Sequence, residues 1–238
     1  ALTALKRLGI KPEREVRIIF GCDEESGFED LKYYLDHEKA PIAGFTPDCK
    51  YPVVYAERGR AVIKVKADLD HLITFMNKYI LNTQNKGERL GIDYKNDEFG
   101  QLEIRNYHLT KEDFSFSISY PAGITLEEIL DKLNRIEGYE YEVVSHFKPV
   151  YFDKKAPMVE IMKETYEYVT GNDGTPVTTT GGTYAKMMPH IVPFGPSFPG
   201  QKGIGHNPNE WMTREDLITN AKIYALTLYQ LSRKETEL

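Results

Sequence analysis

Two hydrophobic rhythms alternate along this chain. Residues 61–67 (AVIKVKA) and 114–120 (FSFSISY) carry apolar side chains at every second position, as a strand with one buried face requires. Residues 27–37 (GFEDLKYYLDH) instead place Phe28, Leu31, Tyr34 and Leu35 at helical spacing. The same reading predicts helices over 1–8, 68–79, 125–136, 157–170 and 213–231. Shorter β-rich runs at 15–21, 101–105, 139–144 and 190–194 supply the remaining strands.

The order of these elements sets the expected organisation. Residues 1–59 open as helix, strand, helix and then loops rich in proline, the start of an α/β domain. Residues 60–150 combine two helices with several strands in a separate α+β style, and residues 151–238 return to the first style. The expected fold is therefore an α/β catalytic domain, with a central mixed sheet flanked by helices, interrupted by an inserted α+β domain. Residues 81–100 carry little apolar periodicity, so a mobile loop or missing sequence is expected there. Residues 1–8 read as a helix without an initiator Met or a polar cap, which suggests that the start of this element lies upstream.

Composition narrows the function. Among 238 residues, 30 Lys and Arg face 36 Asp and Glu, giving a formal charge of −6 and none of the basic excess that nucleic-acid binding uses. Aromatic residues make up 12% of the chain, too many for a disordered one. No uncharged apolar run approaches the roughly 18 residues of a membrane helix. The two cysteines, Cys22 and Cys49, cannot form a disulfide framework or a four-thiolate metal site, so they read as small buried residues in a cytoplasmic protein. Any metal must then be held by carboxylates and histidines.

Four segments could carry chemistry. Residues 21–27 (GCDEESG) place Asp23, Glu24 and Glu25 after a β run and before a helix. Acids are favoured at a helix N-terminus by the macrodipole, which is one reading. The other is a cation site in which one carboxylate binds metal and its neighbour is a general base. Asp48, in 44–49 (GFTPDC), is a turn residue taken alone, or an oxygen ligand at a second strand end. His206 sits among glycines and prolines in 203–210 (GIGHNPNE), where a loop could present it as a ligand or merely expose it. Residues 178–184 (TTTGGTY) end a hydroxyl-rich strand in a glycine turn whose backbone N–H groups could receive an anion. The other five histidines, His37, His71, His108, His146 and His190, are assigned no role, although His190 could lie in the cleft.

Together, GCDEESG at 21–27, FTPD at 45–48, YAERG at 55–59, GGTYA at 181–185 and FGPSFPG with GHNPNE within 194–210 resemble the cocatalytic zinc peptidase family. That family holds bacterial Xaa-His (carnosinase-like) dipeptidases, carboxypeptidases and aminoacylases, and the motifs look most like its cytoplasmic Gram-positive dipeptidases. The resemblance implies a hydrolase of unblocked dipeptides with two divalent ions, zinc or manganese. It implies Glu24 as general base, Glu25 as a ligand of one ion, and Asp48 and His206 as ligands of the other. Gly181, Gly182 and Thr183 match a stretch near the substrate carboxylate. The inserted domain is implied to be a ferredoxin-like lid, and a homodimer is compatible with the family.

Several family features have no match. A His-x-Asp pair and a bridging Asp would precede the Glu-Glu motif, and a lid histidine is missing between residues 60 and 150. Ser119 stands where an arginine is expected. The chain is therefore expected to be truncated upstream and gapped internally, with joins near Arg60 and Tyr79. Two other functions stay open at this point: an N-acyl or N-succinyl amino acid hydrolase of the same family, and a catalytically inactive binding or assembly relative.

Overall fold

The computed structural model describes residues 1–201 and 205–238. It divides into two compact units. One comprises Ala1–Tyr55, Phe152–Val177 and Thr183–Leu238, and the other comprises Ala56–Tyr151 with Thr178–Gly182.

The first unit is built on a parallel pair of strands, Gly44–Thr46 and Ile191–Pro193, with Phe45 opposite Val192. Two helices cover its core. Pro157–Thr170 begins with a proline at its first turn, where no amide is needed, and ends at Gly171 in the left-handed region. Arg214–Ser232 is capped by Thr213, whose side chain accepts from the Asp216 amide. Val53, Val159, Met162, Tyr166, Val192, Phe194 and Ile223 are fully buried between them, each contributing about 1.5–3 kcal/mol of apolar burial where the side chain is large. The Tyr51 ring lies 5.1 Å from Tyr166 and 5.1 Å from Phe194, and its hydroxyl donates to Asn220 Oδ1 at 2.6 Å. Burial first, and then the neighbouring Tyr224 and Tyr166 hydroxyls, push the Tyr51 phenol well above its usual range. The result is a rigid platform from whose strand ends the loops emerge.

The second unit is a four-stranded antiparallel sheet in the spatial order Glu103–Leu109, Asp113–Tyr120, Gly59–Lys66, Glu140–Phe147. Helices Leu69–Phe75 and Leu126–Leu133 connect the strands, giving the chain order strand, helix, strand, strand, helix, strand of a split βαβ unit. Alternation decides its core: Ala61, Ile63 and Val65 point inward, as do Phe114, Phe116 and Ile118, against Leu72, Phe75, Ile129 and Leu133. Thr125 and Glu128 form a reciprocal cap on the second helix, with Thr125 Oγ1 accepting from the Glu128 amide at 3.2 Å and Glu128 Oε2 accepting from the Thr125 amide at 2.8 Å. Glu140–Phe147 is an edge strand and carries charge, with Lys66 Nζ 2.7 Å from Glu142 Oε2.

Three sequence expectations change. Residues 15–21 form no strand: Ile18 is 58% exposed and Phe20 is 90% exposed. A strand needs a hydrogen-bonding neighbour, and among the described residues this run has none. Arg17 instead ties it to the helix Glu29–His37 by donating to Tyr34 Oη at 2.7 Å, and to Glu38 just beyond that helix at 3.1 Å. The sheet of the first unit is correspondingly narrower than the expected central one. Residues 81–100 are not a loose loop, since Leu90 and Ile92 are buried at and just after the one-turn helix Glu88–Leu90, and Phe99 is buried as well. Their spacing is irregular because a tight turn, not a periodic element, presents them. Cys22 is exposed rather than buried, because its loop turns outward.

Candidate active site

The acidic loop is shaped by its own backbone. The Asp23 carbonyl accepts from the amides of Ser26, Gly27 and Phe28 at 3.3, 3.2 and 3.0 Å, and the Asp23 carboxylate accepts from the Glu29 amide at 2.8 Å. Phe28 takes a left-handed conformation with φ 66 and is buried. A side chain rarely adopts that backbone, at a cost of about 1–2 kcal/mol, which burial of the ring offsets. The turn leaves Glu24 half-buried and Glu25 exposed at its apex.

Asp48 follows the strand Gly44–Thr46, and His206 stands in the loop before the helix Arg214–Ser232. Gly203 and Ile204 of the His206 motif lie outside the described residues. His206 has φ 59, also left-handed, and Asn207 Nδ2 donates to the Gly205 carbonyl at 2.8 Å to hold the turn. His206 Nε2 then lies 3.4 Å from Glu25 Oε1, with both side chains open to solvent, 79% and 72% exposed. Asp48 joins them electrostatically. Partial enclosure pushes its carboxyl above the usual range, the Glu25 charge pushes the same way, and His206 acts in the opposite sense.

The structure thus gathers Glu25, Asp48 and His206 from three loops of one unit, with Glu24 beside Glu25 in the chain. Oxygen and imidazole donors suit zinc or manganese. Two donors that share a tetrahedral ion, each about 2.0–2.1 Å from it, stand roughly 3.3–3.4 Å apart, so the Glu25 and His206 spacing fits adjacent ligands of one cation. Among the described residues, however, no three such side chains close a coordination shell. The donor set fits an edge of a metal site.

Gly181 and Gly182 are exposed at the end of the strand Val177–Thr179, in the second unit, and Thr183 is buried in the first, its hydroxyl oxygen accepting from the Ala185 amide at 3.2 Å. His190 is exposed in a left-handed turn. Sequence reading passed over Tyr184 and Asp30. The Tyr184 hydroxyl donates to Asp30 Oδ2 at 2.6 Å, beneath the acidic loop. The tyrosine stood in the GGTYA motif, which was the available signal.

Within an α/β unit, three loops thus bring carboxylates and an imidazole toward one another. Residues 1–230 match the peptidase family M20/M25/M40, and the chain belongs to that family. The β-Ala-Xaa dipeptidase of Lactobacillus delbrueckii subsp. lactis is 23% identical over 337 aligned positions, covering 97% of this chain and 71% of that protein. Because 337 aligned positions exceed the 238 residues here, the relative carries internal segments with no counterpart in this chain. Among solved structures, the di-peptidase Dug1p of Saccharomyces cerevisiae superposes with a TM-score of 0.65 at 13% identity, covering 98% of this chain and 69% of that one. Human carnosine dipeptidase 1 gives 0.62 at 13% identity, covering 97% and 69%. These likenesses establish the mixed α/β peptidase fold. Among the described residues, no helix is long and apolar enough to cross a membrane.

Proposed function

We infer that this chain is a metal-dependent dipeptidase acting on short unblocked peptides, with Glu24 as general base. The observation that carries this reading is the 3.4 Å approach of His206 to Glu25 beside Glu24. It agrees with the dipeptidase names of the β-Ala-Xaa relative and of the two structural neighbours. Glu25 and His206 are read as neighbouring ligands of one divalent cation and Asp48 as a ligand facing a second. This grouping differs from the one the motif resemblance implies, and the Glu25 to His206 distance favours it.

Bound divalent cations, zinc or manganese, would supply polarisation of the peptide carbonyl and the positive charge that lets Glu24, Glu25 and Asp48 coexist as carboxylates. Glu24, tethered by the Asp23 turn, takes a proton from the attacking water and returns it to the departing amine nitrogen. Gly181 and Gly182 offer exposed backbone, and with Thr183 they are read as the substrate carboxylate side. The inserted α+β unit is read as a ferredoxin-like lid domain that limits substrate length. The low cysteine count fits a cytoplasmic setting.

The deciding assay supplies zinc or manganese to the purified chain and compares unblocked dipeptides with N-acylated amino acids. Release of free amino acids from the dipeptides alone is expected. Turnover of only the acylated set would replace this reading by N-acyl amino acid hydrolysis, and no turnover with no bound metal would favour an inactive binding protein.

A further inference from the structure

The acids at residues 21–30 do not all share one task. Asp30, near the start of the helix Glu29–His37, accepts three hydrogen bonds on a single oxygen: from the Cys22 amide at 2.7 Å, from the Asp23 amide at 3.1 Å and from the Tyr184 hydroxyl at 2.6 Å. Its other oxygen accepts from the Leu31 amide at 2.8 Å. A carboxylate so engaged by donors is stable as an anion, and its Oδ2 is committed to the loop backbone and the Tyr184 hydroxyl. Asp30 is thereby separated in role from Glu24 and Glu25.

The tyrosine completes the arrangement. Its hydroxyl donates to Asp30 and accepts from the Asp23 amide at 3.3 Å, and its ring lies 5.6 Å from that of Phe28 at the far end of the turn. Room for it is made by Gly21, where a Cβ would stand 1.9 Å from the Tyr184 oxygen. Any side chain at position 21 would expel the hydroxyl. Residues 22 and 23 are therefore held from below by Asp30 and Tyr184, while residues 26–29 are held by Asp23. Glu24, half-buried, and Glu25, exposed, lie between these two sets of contacts.

We propose that Tyr184 and Asp30 are positioning residues that fix the Glu24–Glu25 turn for proton transfer and cation binding. The proposal deepens the dipeptidase reading and rests on it for the role of Glu24, but the clamp itself can be tested without turnover. A hydroxyl that holds the backbone next to the reacting groups acts through orientation, and a misplacement of about 1 Å in a reacting group can cost about a hundredfold in rate.

The test uses the full chain with Tyr184→Phe, which keeps the ring contact with Phe28, and Asp30→Asn, which keeps the shape. Backbone hydrogen exchange is read over residues 22–28, manganese binding is titrated with the metal alone, and kcat and KM are measured separately on a dipeptide. Exchange at Cys22 and Asp23 is expected to rise at least tenfold in each variant, and the double variant to rise no further than the stronger single one. Manganese affinity should fall three- to tenfold, or kcat ten- to a hundredfold with KM within threefold of the parent. Unchanged exchange in both variants overturns the proposal. So does raised exchange with metal affinity and kcat both unchanged. If the parent hydrolyses no dipeptide, the dipeptidase reading fails, while exchange and the manganese titration still decide the clamp.

Discussion

His206 Nε2 approaches Glu25 Oε1 to 3.4 Å, although one residue stands in the loop before the last helix and the other in the first acidic turn. Each is reached from a different direction: Glu25 from the turn built on Asp23, His206 from a left-handed loop residue. Their convergence makes the site a property of the folded unit.

Removing either member of this pair should damage cation binding itself. Changes to groups behind a metal ligand already cost 10–100-fold in affinity, so Glu25→Ala and His206→Ala are expected to weaken zinc binding by at least about a hundredfold. Calorimetric titration with zinc measures this. Equal affinity in parent and variants would remove Glu25 and His206 from the ligand set.

Glu24→Gln should separate binding from chemistry. The amide is nearly isosteric but takes no proton, so kcat is expected to fall by about 10²–10⁴-fold while zinc affinity stays within about threefold. A variant with parental turnover would show that another group accepts the proton.

Tyr184 predicts an alkaline signature. Burial and then the hydrogen bond to Asp30 push its phenol from 10.0 up to about 12. A folded pKa above the unfolded one stabilises the protein fully below pH 10 and loses that contribution as pH rises to about 12. Other buried tyrosines titrate there as well, so the informative quantity is the difference between parent and Tyr184→Phe. Melting temperatures at pH 8 to 12 should show the parent's advantage shrinking across that window, and a constant difference would refute the linkage.

In the second unit, Thr125→Ala removes one half of the reciprocal cap on Leu126–Leu133. Loss of such a cap costs about 1 kcal/mol, and denaturant unfolding should show a lower midpoint with little change in slope. Ile129→Ala, in the fully buried core of the same helix, should cost more, about 2–5 kcal/mol. An Ile129→Ala change milder than the cap change would mean that this core collapses around the cavity.

Local chemistry explains which elements were legible. Helix Pro157–Thr170 carries its start and stop in Pro157 and Gly171, and the strand Gly59–Lys66 carries its burial in strict alternation. Residues 15–21 show the limit of such signals: their β propensity is real, but strand formation depends on a neighbour that composition does not reveal. Residues 81–100 show the opposite limit, because Leu90 and Ile92 are buried by a turn without period.

The candidate site divides in the same way. Residue type and setting raised Glu24, Glu25 and His206 as candidates beside plainer readings, Asp48 taken alone read as a turn residue, and it was the resemblance of the motifs to those of the family that implied their roles. Sequence also determined the alternation of the inserted sheet and the caps of its helices, which depend on residues a few positions apart. Tertiary structure decided which donors meet, drawing His206 to Glu25, and it turned Tyr184 and Asp30 into supports of the acidic turn. Those relationships join residues far apart in the chain, and only packing of the core between them sets the distances.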